Sequence, residues 1–104
     1  MQNPKRGEIW LVDLGLVAKV RPCLVLSVPY GENDCALVTI VPHSTSVRYS
    51  VFELAIEVKF LRSGVFVTQN LVTIPVVKLL RKLGDLPGNN LKLIEDSVRT
   101  WPGL

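Results

Sequence analysis

Arg21-Pro22-Cys23-Leu24-Val25-Leu26-Ser27-Val28 runs into Pro29 and Gly31, which makes it an apolar stretch too short for a helix and closed off by chain-turning residues. Such a run reads as a buried β-strand over Pro22 to Val28. Glu8 to Leu14 precedes it and alternates around Ile9 and Leu11, the period of a half-buried strand. Residues 35 to 41 (Cys-Ala-Leu-Val-Thr-Ile-Val) and 51 to 58 continue the pattern, with short β segments at 65 to 68 and 71 to 74. So many short strands with turn residues between them predict a small barrel or strongly bent sheet, which disposes of its edges by closing on itself.

Helix enters late. Pro75 suits the first position of a short helical turn. Leu91, Ile94, Val98 and Trp101 recur at three- and four-residue intervals, so a C-terminal helix would pack one face on the sheet. Lys82 to Leu86 reads as one more short strand between the two. The expected class is mainly β (α+β), in one domain over residues 1–104, since 104 residues leave no room for a second core.

Hydrophobic residues make up 48% of the chain and charged residues 20%, with 16 Val and 16 Leu, which excludes a disordered chain and favours β-structure. Asp13, Lys19, Arg21, Glu32 and Asp34 interrupt the apolar N-terminal third, so no stretch reaches the roughly 18 residues of a membrane span. No signal-peptide core follows Lys5 and Arg6, and a cytoplasmic protein is expected. Cys23 and Cys35, without CxxC spacing, read as two reduced and mostly buried thiols. A net charge of +3 suits an anionic partner without identifying one.

Two places carry candidate chemistry. Arg21 stands at the entry of a buried strand, where Pro22 biases it toward extended geometry and holds the guanidinium on a stiff stalk. Its five donors suit phosphate, and an arginine that merely blunts a strand edge is the competing reading. Pro42-His43-Ser44-Thr45-Ser46 follows the hydrophobic strand ending at Val41 and delivers hydroxyl donors from a rigid support, although Ser and Thr runs are also ordinary turn residues. His43, the one histidine, is a ready proton shuttle by its ordinary pKa, or else a hydrogen-bonded structural residue. No P-loop, GxGxxG, HExxH or GxSxG occurs, and one histidine cannot build a multi-histidine metal site, so neither metal nor cofactor is expected.

With these motifs in place, the chain resembles the PemK/MazF family of toxin endoribonucleases from type II toxin-antitoxin pairs. Lys5-Arg6-Gly7-Glu8-Ile9-Trp10-Leu11-Val12-Asp13-Leu14 looks like the family's opening strand, and Arg21-Pro22 with Leu24-Val25-Leu26-Ser27 looks like its second. Val41-Pro42-His43-Ser44-Thr45-Ser46 is similar to the family's third-strand exit. Phe52-Glu53-Leu54, Gln69 with Val72-Thr73-Ile74, Arg81-Lys82-Leu83-Gly84 and the C-terminal helix follow in family order.

The resemblance implies an SH3-like small β-barrel with a short helix and a C-terminal packing helix. It also implies a homodimer, an antitoxin partner that blocks the groove, and metal-independent cleavage of single-stranded RNA to 2′,3′-cyclic phosphate and 5′-hydroxyl ends. Carried over by position, Arg21 and Thr45 are the catalytic pair, with His43 a further candidate and Ser46, Arg48, Gln69 and Lys19 holding substrate. Arg48, Tyr49, Lys19 and Arg62 would frame an RNA path, or form plain solvated surface. The loop from Gly15 to Val20 is shorter than in many relatives, and Thr68 stands where relatives often place an acid, so no general base comes from either position. Two rivals have other chemistry: a toxin of the same fold that poisons DNA gyrase, whose C-terminal ending resembles Trp101-Pro102-Gly103-Leu104, and a noncatalytic SH3-like interaction module.

Overall fold

The computed structural model describes residues 3–15 and 19–104. Among the described residues, seven strands form in chain order: β1 (Glu8–Asp13), β2 (Val20–Val25), β3 (Leu37–Ser44), β4 (Glu53–Leu54), β5 (Val65–Val67), β6 (Val72–Pro75) and β7 (Leu79–Asp85). Single 3₁₀ turns at Thr68–Asn70 and Val76–Lys78 flank β6, and one helix, α1 (Gly88–Thr100), ends the fold. The sheet runs β4-β5-β3-β2-β1-β7, with β6 paired to β3 off that path, and every pairing is antiparallel. This is the mainly β architecture expected, although no ladder joins β4 to β7 among the described residues, so the sheet bends without closing.

β3 is the hub. Its first half pairs with β6 from Leu37↔Pro75 to Ile40↔Val72, and its last two residues pair with β5 through His43↔Phe66 and Ser44↔Val65. One eight-residue strand therefore serves three neighbours, because β2 also takes Ile40 to Pro42 on its other side. Register shifts in the β1–β7 ladder, between Ile9 and Trp10 and between Leu11 and Val12, mark irregularities of the kind that sharpen twist.

Because side chains alternate across a strand, the sheet buries two apolar layers. On one face, Ile9, Leu24, Leu26, Val41 and Phe66 meet Ile94 of α1, with Leu91 and Val98 packed against them. On the other, Trp10, Val12, Cys23, Val25, Val38 and Ile40 form a second cluster edged by Leu14, Ile74 and Leu79. Full burial of such side chains is worth about 1.5–3 kcal/mol each. Leu91, Ile94 and Val98 lie on the buried stripe of α1 as the periodicity predicts, and Trp101 caps the helix and packs edge-on against Phe52, ring centroids 5.1 Å apart.

Several expected boundaries move. The strand expected over 51 to 58 forms only at Glu53–Leu54, because Ile56 and Val58 pack against the helix-side cluster without a ladder partner. The strand expected from Lys82 begins at Leu79, where it pairs with Val12. Pro75 closes β6 and caps the 3₁₀ turn after it. Cys23 is buried and Cys35 is exposed, since β3 begins two residues beyond Cys35; neither forms a disulfide.

Candidate active site

The second face of the sheet leads directly to a polar groove. β2 and β3 pair as Cys23↔Pro42, Leu24↔Val41 and Val25↔Ile40. Continued by two residues, that register sets Arg21 opposite Ser44, one step past Cys23 and Pro42 on the same face. Both side chains line a groove of about 640 Å³, with Pro42, Leu14, Val72 and Ile74 as its apolar floor and walls. Around them stand Ser46, Arg48, Ser50 and Glu53 from the segment after β3, and Gln69 and Asn70 from the first 3₁₀ turn. The groove thus combines two guanidinium groups, three hydroxyls, two amides and one carboxylate.

Each wall is held from behind. The Ser44 hydroxyl accepts from the Ser46 N–H at 3.1 Å, closing a tight turn at the strand exit. Glu53 Oε1 accepts from the backbone N–H groups of Arg48 at 2.9 Å and Ser50 at 3.3 Å, and the Ser50 hydroxyl accepts from the Phe52 N–H. Thr68, fully buried, donates from its hydroxyl to the Phe52 carbonyl at 2.8 Å and shares a 2.7 Å hydrogen bond with Ser97 of α1. Thr68 therefore ties the turn bearing Gln69 and Asn70 to both the loop and the helix.

Period-two alternation separates the remaining strand-exit candidates from this groove. Thr45, one residue past Ser44, lines an adjoining groove with Val47, Tyr49, Gly64 and Val65. Ser50 and Glu53 border both grooves. His43 is 4% exposed and meets Phe66 edge to face, ring centroids 5.0 Å apart; burial lowers its pKa below the usual 6.5 and leaves the ring neutral at neutral pH. Lys19 is exposed in a positive-φ turn (φ +55°) and is not among the side chains lining the Arg21 groove. Arg62 lines a separate depression with Lys59 and Gly64. Of the expected loop from Gly15 to Val20, residues 16–18 lie outside the described residues.

Arg21 is half-buried, and its charge is felt by its neighbour. The Cys23 thiol is pushed up to about 12 by burial, against the opposing pull of the Arg21 guanidinium, and it donates weakly to the Arg21 carbonyl. That thiol is a packing group rather than a nucleophile. Of the residues singled out in the sequence, Arg21, Ser46, Arg48 and Gln69 line this groove, as does Ser44 of the hydroxyl-bearing strand exit; Ser50, Glu53 and Asn70 are lining groups that the sequence reading does not single out. The signal for Ser44 was present: it shares parity with Pro42, Ile40 and Val38, the face on which the Arg21 strand also lies.

A family model described as PemK-like, MazF-like toxin of type II toxin-antitoxin system matches residues 5–101. Among solved structures, the chain is similar to the Mycobacterium tuberculosis toxin MazF-mt6, with 27% identity over 93% of this chain and 97% of that one and a TM-score of 0.79. It is also similar in fold to an endoribonuclease from a mycobacterial species in complex with its cognate antitoxin (24% identity, 100% and 97% covered, TM-score 0.80). A MazE-MazF structure from Deinococcus radiodurans shares the fold at 18% identity, with 100% and 99% covered and a TM-score of 0.83. No match was found among curated proteins.

Proposed function

Because this chain belongs to the PemK-like, MazF-like toxins of type II toxin-antitoxin systems, we propose that it cleaves single-stranded RNA, messenger RNA included, in the Arg21 groove without a metal ion. The observation that carries this reading is the convergence of Arg21 and Ser44, from neighbouring strands, on one groove also lined by Arg48. A phosphodiester in the groove meets bidentate donors from Arg21 and a hydroxyl donor from Ser44, both anchored to the sheet.

In the proposed reaction the ribose 2′-oxygen forms a bond to phosphorus, the bond to the 5′-oxygen breaks, and a proton passes in net from the 2′-hydroxyl to the 5′-oxygen. The products are a 2′,3′-cyclic phosphate and a 5′-hydroxyl. Negative charge grows on the non-bridging oxygens of the pentacoordinate phosphorus, where Arg21 and Ser44 stabilise it more than in the ground state. Ser46, Arg48 and Gln69 hold the flanking nucleotides. The hydroxyl role that the family resemblance gives to Thr45 belongs in this reading to Ser44, since Thr45 opens on the adjoining groove. His43 supports the strand exit through Phe66 and takes no part in proton transfer.

The relative in complex with its cognate antitoxin supports an antitoxin as protein partner of this chain; an antitoxin segment covering the groove and a homodimer as the working form are what the family reading implies. No helix among the described residues is long and apolar enough to cross a membrane. Messenger RNA as substrate places the toxin's action in the cytoplasm. The gyrase-poisoning alternative needs a C-terminal aromatic free to reach a target. Here Trp101 is committed in part to Phe52.

The purified protein, incubated with RNA in EDTA, should yield cyclic-phosphate and 5′-hydroxyl ends. Arg21→Ala and Ser44→Ala should each lower the rate on the order of 100- to 1000-fold, the usual cost of one lost transition-state donor. Thr45→Ala should lose far less. RNA left intact by the folded wild-type protein, or trapped gyrase–DNA complexes in its presence, would overturn the reading.

A further inference from the structure

Tyr49 is the most conspicuous surface residue beside the site. Its side chain is 91% exposed, and its backbone sits at φ +61°, a left-handed conformation that bulky residues rarely adopt. The two peptide N–H groups that bracket it, those of Arg48 and Ser50, both donate to Glu53 Oε1. One carboxylate oxygen thus pins the chain on either side of an aromatic ring that is held out into solvent. A glycine would take this turn without strain, and a polar side chain would sit in water at lower cost.

The position of the ring suggests its use. Tyr49 lines the groove adjoining that of Arg21 and Ser44, and Ser50 and Glu53 form the wall common to both. We propose that Tyr49 is a stacking platform for one unpaired base of the RNA, a nucleotide near the phosphate held by Arg21, and that Glu53 is a positioning residue that fixes the platform. Single-stranded RNA is read chiefly by bases splayed onto aromatic rings while cationic side chains hold the backbone. Arg48, next to Tyr49 in sequence, lines the Arg21 groove and supplies such a cation there. A stacked base also constrains which phosphate reaches Arg21, so the ring contributes to cleavage-site choice.

The proposal rests on the nuclease reading and is tested separately from it by binding. The probe is a short mixed-sequence RNA with 2′-fluoro sugars, which lacks the attacking hydroxyl, followed by fluorescence anisotropy and by 2-aminopurine stacking signals. Tyr49→Gly should weaken binding roughly 5- to 150-fold, the range for loss of one stacked base, without lowering the thermal midpoint because glycine accepts the positive φ. Tyr49→Phe should bind within about twofold of wild type, since the ring face that stacks is retained. Glu53→Ala should weaken binding, Glu53→Gln, which keeps the acceptor oxygen, should restore it, and Glu53→Ala should add little once residue 49 is Gly.

On ordinary RNA, the Tyr49→Gly loss should appear in KM rather than kcat. Unchanged affinity in Tyr49→Gly, or equal losses in Tyr49→Gly and Tyr49→Phe, would overturn the platform; the first leaves the ring to contacts with protein. A Glu53→Gln variant that binds normally while kcat falls with a shifted pH profile would make Glu53 a proton-transfer group and overturn its positioning role. If wild type binds the probe through Tyr49 but leaves ordinary RNA intact, the nuclease reading fails and the platform stands.

Discussion

Gly64 lies against the backbone carbonyl of Ser44 so closely that a methyl group on its α-carbon would overlap the oxygen, and it would also come within 2.9 Å of His43 Cε1. Backbone cannot step aside as a flexible side chain can. The close approach follows from the pairing of Ser44 with Val65, which brings the residue before β5 under the strand exit.

Gly64→Ala should therefore cost about 1–3 kcal/mol, the usual penalty of overpacking, and should displace Ser44 and lower cleavage with it. Gly84→Ala makes the useful contrast. Its methyl would meet the Phe60 ring at 2.5 Å, but that ring is 45% exposed and has room to turn, so the loss should stay below about 1 kcal/mol. Urea unfolding midpoints and cleavage rates measure both. Equal stability of the two variants would mean that the Ser44 exit is pliable.

Much of this architecture was legible because local signals and packing agree. Glu8 to Asp13 and the run through Val25 alternate or concentrate apolar residues as buried strands require, and Leu91, Ile94 and Val98 mark the helix stripe. The strand expected over 51 to 58 failed because apolar periodicity reports burial, not a ladder partner: Ile56 and Val58 are partly buried without one. Arg21 was legible from its place before Pro22. Which of Ser44 and Thr45 lines the Arg21 groove depends on strand parity, and so on where β3 ends, and β3 extends to Ser44 rather than stopping at Val41. Glu53 and Asn70 come from segments distant in sequence, and no local pattern connects them to Arg21.

His43 should reveal itself in stability rather than in catalysis. Burial lowers its pKa below the usual 6.5, so the unfolded chain binds a proton more readily than the folded one. Its contribution is fully present above about pH 6.5 and is lost as pH falls through the depressed folded value. Glu8 acts in a lower window. Burial raises its pKa, but the Lys5 N–H, the Trp10 indole and Lys82 outweigh that and hold it below the usual 4.5. Thermal midpoints measured downward from about pH 7 should begin to fall near 6.5 in wild type, and His43→Leu should flatten that first step. The pH profile of cleavage should keep its shape in His43→Leu, and a profile that loses a limb would restore His43 as a proton shuttle.

Thr68 links the site to the helix, and its two contacts allow a graded test. Thr68→Val preserves shape but removes the hydroxyl shared with the Phe52 carbonyl and with Ser97. The Phe52 carbonyl keeps the Thr68 N–H, whereas Ser97 is left without that partner, so the expected loss is about 1–2 kcal/mol. Thr68→Asp introduces an acid at a fully buried position beside a carbonyl. A charge there is disfavoured, and this variant should be less stable than Thr68→Val at about pH 7 and recover toward it in acid as the carboxyl protonates. Because Gln69 and Asn70 follow directly, both variants should raise KM for RNA more than they lower kcat. A Thr68→Asp variant as stable as wild type and faster in cleavage would instead show that the position can face the groove and supply a base.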